Sequence, residues 1–199
     1  MRVKTFFIYL FLFSGLFVKA QLPILKSNTT DEQKQSSDIY NNFHDNYDFV
    51  ISCNSQSYWW SDKKIYEVLA YGNGHWERIS LYSKRHHNGK WSKPYIKIDS
   101  FDNERAEKLI ELFNKNDFWH LSNDSLNIHQ KRINDTLFKT YDISDDVNYK
   151  FEIMTKNDFL IIQCYAPEYF LEKIPEIKSR EVFIKCRDEF LSAYKSDEN

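Results

Sequence analysis

The sequence contains little glycine: four residues in 199, of which only Gly72, Gly74 and Gly89 follow the first twenty positions. Loops that cradle phosphate need glycine where the backbone approaches the anion, so nucleotide binding by such a loop is excluded. The motifs G-x-S-x-G, H-E-x-x-H and C-x-x-C are also absent. The sequence therefore predicts no cofactor and no catalytic residue, and favours a protein that is not an enzyme.

Three cysteines, Cys53, Cys164 and Cys186, are too few for a disulfide-built miniprotein. Their odd number permits at most one internal bridge. Cys164 lies on the apolar face of a predicted strand and Cys186 on the apolar arc of a predicted helix, so these two are the expected pair, with Cys53 as the competing partner. Such a bridge would close a loop of about 22 residues and contribute roughly 3 kcal/mol. The alternative is that both remain buried free thiols.

No apolar run is long enough for a membrane-spanning helix. The run at 5–18 has about 14 residues, whereas a span needs roughly 20. It follows Arg2 and Lys4 and ends in Val18-Lys19-Ala20, which is typical of a cleaved signal peptide over residues 1–20. The alternative is a single membrane anchor. We expect an exported protein, periplasmic or extracellular, without a transmembrane anchor after cleavage.

The segment after the predicted cleavage site is strongly polar, because residues 26–38 include no apolar side chain. It predicts a flexible N-terminal tether over residues 21–46, followed by a single α+β domain over 47–199. A solvated first helix is the alternative interpretation of this segment.

Two Asn-Gly dipeptides, Asn73-Gly74 and Asn88-Gly89, separate strand-like runs. Asn-Gly favours the two-residue type I′ hairpin turn, which fixes the register of the flanking strands. Both turns place Ile79 and Leu81 on the same face, so they predict a three-stranded antiparallel meander over residues 64–98. Its predicted core face contains Tyr66, Val68, Ile79, Leu81, Ile96 and Ile98.

A second set of strands is predicted at 136–143, 148–155 and 159–165. Their shared apolar face contains Phe138, Phe151, Ile153, Leu160, Ile162 and Cys164. Apolar residues at helical spacing predict two main helices, at about 102–115 and about 179–194. The expected fold class is therefore α+β, with antiparallel β-meanders forming a sheet that the two helices pack against. Arg187 falls inside the apolar arc of the second helix and is either a paired core residue or a ligand anchor.

The opposite face of the first meander combines aromatic and basic side chains. Residues 75–98 contain six lysines and arginines but one carboxylate, Glu77. We predict a ligand face for an acidic protein or an anionic glycan, whereas export and net acidity disfavour nucleic acid. Its members are Tyr71, Trp76, Arg78, Tyr82, Lys84, His86, Trp91, Lys93 and Tyr95. The alternatives are a second core layer beneath helices, or lysines that keep an edge strand soluble. Tyr58-Trp59-Trp60 either extends this face or forms a buried corner.

A metal site is not expected. His75 and His86 lie on one predicted strand, roughly 36 Å apart at about 3.3 Å per residue. Three functions stay open. The first is an exported, non-enzymatic binding module that uses the basic aromatic face. The second is a small exported hydrolase with unrecognised acid and base residues, and the third is a structural module of envelope assembly.

Overall fold

The computed structural model describes residues 22–57 and 62–195. The predicted signal peptide at 1–20 and the triplet Tyr58-Trp59-Trp60 lie outside these ranges and stay predictions. The described chain forms an antiparallel six-stranded sheet with helices packed against it, which confirms the α+β class.

The main sheet has the order β4-β3-β2-β1-β7-β8. Its strands are β1 (Phe49–Ser57), β2 (Lys63–Gly72), β3 (His75–Lys84), β4 (Tyr95–Phe101), β7 (Val147–Thr155) and β8 (Phe159–Tyr165). A separate hairpin pairs β5 (Gln130–Arg132) with β6 (Phe138–Thr140). The helices are α1 (Asp31–Ser36), α2 (Asp38–Phe43), α3 (Asn103–Lys115), α4 (Asn123–Leu126), α5 (Pro167–Lys173) and α6 (Lys178–Lys195). A 3₁₀ turn, Phe118–His120, follows α3.

The first meander has the predicted registers. Val68 pairs with Ile79, which pairs with Ile98 across the next strand. Asn73 and Gly74 have φ angles of 53° and 85°, as a type I′ turn requires. Strand β4 is an edge strand, so Ile98 remains 51% exposed and does not join the core as predicted.

The second turn differs from the prediction by one residue. His86 N–H donates to the Lys90 carbonyl at 2.7 Å, and Gly89 has a φ of 78°, so the loop has three residues with glycine in the left-handed conformation. Arg85 pairs with Trp91, and a bulge before Tyr95 restores the register. A two-residue turn at Asn88-Gly89, as the sequence predicts, would pair His86 with Trp91 and Lys84 with Lys93, so these two predicted pairs are wrong.

Strand β1 was not predicted, although it lies at the centre of the sheet. It pairs with β2 on one side and with β7 on the other, and so joins the two halves of the chain. Residues 49–54 are all buried, because both faces of this strand are covered. A strand that is buried on both faces has no alternation of apolar and polar residues.

Helices α3 and α6 cover one side of the sheet, which we call the helix face. Asp102 caps α3 by accepting a hydrogen bond from Arg105 N–H at 2.8 Å. The apolar residues whose helical spacing predicts α3 are buried against the sheet: Ala106, Leu109, Ile110 and Phe113. The predicted apolar face of the second half is also confirmed here, except for Phe138. Phe138 is 54% exposed because β6 belongs to the separate hairpin.

Helix α2 covers the other side, which we call the N-terminal face. Ile39 and Phe43 are buried there against Val50, Val68 and Ile79. The predicted flexible tether is therefore corrected, because this part of the segment belongs to the core.

The stretch before α1 follows the edge of β8. Ile161 N–H donates to Asn28 Oδ1 at 2.9 Å, and Phe159 N–H donates to Ser27 Oγ at 3.0 Å. Helix α1 itself buries no side chain and begins with a capping box formed by Thr30 and Gln33. The alternative of a solvated first helix describes α1 correctly.

Candidate functional site

Helices α3 and α6 cover one end of the predicted ligand face and leave its other end exposed. Trp76 is only 3% exposed, and its ring lies 5.9 Å from that of Phe49 and 5.3 Å from that of Tyr71. Arg78 donates to the Tyr194 carbonyl of α6 at 3.0 Å. For Tyr71, Trp76 and Arg78 the alternative of a second core layer is correct, because the helices cover this end of the face.

The exposed end of the helix face lies next to Tyr194, close to the last residue of α6. The Tyr194 hydroxyl of α6 donates to the Ile79 carbonyl at 2.9 Å and lies 2.7 Å from Ser80 Oγ. Beyond this contact, Ile65, Tyr82 and Tyr95 form a row across three strands. Ile65 is 51% and Tyr95 66% exposed, so the row is open to a partner.

Lys63 and Lys84 are directly paired across β2 and β3, next to this row. Like charges in opposite positions destabilise a strand pair, unless an anion lies nearby. Asp38 pairs with Lys64 and Asp99 with Lys97, and neither pairs with Lys63 or Lys84. We call Lys63, Ile65, Tyr82, Lys84 and Tyr95 the basic platform. His86 and Lys93 are exposed in the adjoining connection.

Trp91 lies on the opposite side of the sheet from its predicted place. The shift of one residue at the second turn reverses the face that a strand residue presents. The ring of Trp91 accordingly contacts Lys64, whose Nζ lies 4.7 Å from the ring centroid. Trp91 is therefore not a member of the basic platform.

The N-terminal face holds a second group of polar side chains, around Glu152. Glu152 is only 1% exposed, and it accepts a hydrogen bond from the Ser37 hydroxyl at 2.5 Å. Lys150 forms an ion pair with the same carboxylate. Lys64 pairs with Asp38 at 3.1 Å. Burial, and then the Glu152 and Asp38 carboxylates, raise the pKa of the Tyr66 hydroxyl, which stays protonated.

These side chains line a cavity of about 270 Å³, which a second cavity of about 580 Å³ adjoins at Gln56. We call the two together the polar groove. The first is lined by Gln33, Ser36, Ser37, Asn54, Gln56, Lys64, Tyr66, Lys150, Glu152 and Ile161. The second is lined by Gln56, Ser57, Arg85, Ser144, Asp146, Asn148 and Tyr165. The groove was not predicted, because Ser37 and Glu152 are 115 positions apart and no local sequence pattern connects them.

All three cysteines are buried free thiols, so the part of the chain described here has no bridge between Cys164 and Cys186. Burial raises the pKa of each of these two thiols to about 12, so neither is a reactive thiolate at neutral pH. Within residues 22–57 and 62–195, no group of three or more His, Cys, Asp or Glu side chains could hold a metal ion.

Two arginines of α6 are buried for structural reasons. Arg187 pairs with Glu168 and Asp188 and stacks 4.3 Å from the Tyr149 ring centroid, which confirms the interpretation as a paired core residue. Arg180 is fully buried and was not predicted to be so. Its guanidinium donates to the carbonyls of Leu126, Phe170 and Ile128.

No helix within the described ranges is both long and apolar enough to cross a membrane. The chain matches no protein-family model, no curated protein and no solved structure.

Proposed function

We propose that this is an exported, non-enzymatic binding protein whose basic platform engages an acidic protein. The observation that carries the proposal is the cross-strand pair of Lys63 and Lys84 beside the uncovered row of Ile65, Tyr82 and Tyr95. Exposed cations provide attraction over a distance, and exposed aromatic rings provide contact area at low entropic cost.

A protein partner is favoured over a glycan by the edge strand beside the platform. Strand β4 has no neighbour on its outer side among the described strands, so its outer backbone groups are open to an added strand. Tyr95 belongs both to this strand and to the platform. A partner could thus combine backbone pairing with carboxylates that face Lys63 and Lys84.

A non-enzymatic function is favoured over a hydrolase by the state of the buried carboxylate. Glu152 is held by Lys150 and by Ser37, and the Ser37 hydroxyl also accepts the Tyr40 N–H at 3.0 Å as the cap of α2. A capping serine is a poor nucleophile, because its oxygen is already engaged with the backbone. Asp38 is similarly occupied by Lys64.

Retention on immobilised poly-L-glutamate tests the proposal, with dextran sulfate as the anionic glycan probe. We expect retention on poly-L-glutamate to fall with added salt and to be abolished by Lys63→Glu combined with Lys84→Glu. The matched control is Lys26→Glu combined with Lys139→Glu, which makes the same charge change at exposed positions outside the platform. Equal loss in both variants, or retention on dextran sulfate alone, would contradict an acidic protein partner.

A further inference from the structure

We propose that the polar groove on the N-terminal face binds a neutral oligosaccharide. This site is separate from the basic platform and does not depend on the proposed function. The groove lies on the side of the sheet that α1 and α2 only partly cover.

The floor of the groove is a row of polar side chains on neighbouring strands. Tyr66 of β2 pairs in register with Asn54 of β1, which pairs with Lys150 of β7. The apolar residues of the same face, such as Val50 and Val68, lie towards the other end of these strands, beneath α2. The groove therefore arises where the apolar half of the N-terminal face gives way to its polar half.

The buried Glu152 holds Lys150 at the wall of the first cavity. A carboxylate this deeply buried needs a cation and hydrogen bonds, and it obtains both from Lys150 and Ser37. The Lys150 side chain is still 28% exposed, and an ammonium group has three donors, so it can donate to a ligand as well.

Asn54 supplies an acceptor next to these donors. Its amide nitrogen donates to the Ile65 carbonyl at 2.6 Å, which leaves the amide oxygen as an acceptor among the groups that line the cavity. A sugar hydroxyl both donates and accepts a hydrogen bond, so neighbouring hydroxyls suit a wall of mixed donors and acceptors.

The charges of the groove select against an ionic ligand. Lys150 is paired with Glu152, and Lys64 is paired with Asp38. The second cavity adds one cation, Arg85, and one carboxylate among its lining residues. Formal charges therefore cancel along the groove, and a net charge on the ligand would meet no unbalanced opposite charge.

The dimensions favour more than one sugar unit. The two cavities share Gln56, and their volumes of about 270 and about 580 Å³ together fall within the usual range for ligand sites.

Calorimetric titration of the full-length protein with four neutral probes tests this proposal: cellotetraose, maltotetraose, tetra-N-acetylchitotetraose and mannotetraose. We expect at least one of them to bind with a Kd below about 1 mM. Gln56→Ala combined with Asn148→Ala removes two hydrogen-bonding groups from the groove and should weaken that binding about tenfold. Gln56 is exposed and Asn148 is half-buried, and circular dichroism checks that the variant is folded.

The platform variant, Lys63→Glu combined with Lys84→Glu, is the control and should bind the same oligosaccharide with unchanged affinity. This control separates the failure of one proposal from that of the other. Absence of binding for all four probes would overturn the proposal, and so would equal affinity of the groove variant and the unaltered protein.

Discussion

The two faces of the sheet are both apolar at their centres but are built and covered differently. The helix face is aromatic: Phe118 lies 4.6 Å from Phe113 and 5.0 Å from Phe151 between ring centroids, beneath two long helices. The N-terminal face is largely aliphatic and is covered by α2, a helix of six residues. Each candidate site lies where its cover ends: the basic platform beyond α6, and the polar groove beside α2.

The difference shows how a covering helix decides the role of a side chain. Trp76 and Tyr82 are on the same strand and the same face, yet α3 and α6 make Trp76 part of the core and leave Tyr82 half-exposed. The sequence pattern assigns both side chains to the correct face of the strand. The boundary between core and exposed surface is set by the length and position of the helices above it.

The largest effect is expected from disrupting α2, the short helix that covers the N-terminal face. Ile39→Ala combined with Phe43→Ala should leave the chain largely unfolded, because each truncation of a buried side chain of this size costs about 2–5 kcal/mol. Urea unfolding followed by circular dichroism measures the loss. Glu32→Ala, on the exposed face of α1, is the control and should have no effect. An unchanged urea midpoint in the double variant would instead support the flexible tether over residues 21–46 that the sequence predicts.

A second test addresses the helix side, where Arg180 is fully buried. Arg180→Met should destabilise the fold by on the order of 3 kcal/mol, because the carbonyls of Leu126, Ile128 and Phe170 lose their donors. Arg180→Lys should recover only part of this, since an ammonium cannot span three carbonyls as the planar fork does. Chemical denaturation gives both values. Full recovery by lysine would show that charge alone, without the fork, is required.

A smaller effect is expected from His129, which stacks on Phe170 with ring centroids 4.1 Å apart. Burial, and then the Arg180 charge, lower the pKa of His129 below its ordinary 6.5. Below about pH 6.5 the unfolded chain takes up a proton on His129 that the folded chain does not bind. The contribution of His129 to the free energy of unfolding is therefore complete above this pH and decreases as the pH falls towards the folded pKa. His129→Phe should flatten this part of the pH profile of urea midpoints, whereas the exposed-site control His87→Asn should not. An equal slope in both variants would assign the pH dependence to other groups.

The smallest effect is expected for reduction of the protein. Because the three cysteines are free, dithiothreitol should leave the melting temperature unchanged, and alkylation in denaturant without reductant should modify all three. A bridge between Cys164 and Cys186 would instead contribute about 3 kcal/mol and leave one thiol to modify. Mass spectrometry of the alkylated chain distinguishes the two outcomes.

The parts of the fold that depend on local chemistry were predictable. Asn73-Gly74 fixes one turn, and from it the pairing of Val68 with Ile79 follows. The same dipeptide at Asn88-Gly89 also suits a three-residue loop, so the second turn could not be fixed to the residue, and Trp91 was assigned to the wrong face.

The parts that depend on distant contacts were not predictable. The order of the N-terminal segment rests on hydrogen bonds such as Ser27 to Asp158, across 131 positions. Tyr82, Lys84 and Tyr95 of the platform could be named from one meander. Their neighbours Lys63 and Ile65 were missed, and so was the end of α6 that limits the platform. The polar groove needs α1 and four strands together, and no single stretch of sequence indicates it.

The central place of β1 has a consequence for the order of folding. Its pairing of Phe49 with Thr155 joins positions separated by roughly one hundred residues. By contrast, β2, β3 and β4 pair with strands that are their neighbours in the sequence. The first meander can form early, but the β1–β7 pair must wait for a large loop to close. Assembly should therefore pass through a slow step in which two preformed half-sheets meet along this seam.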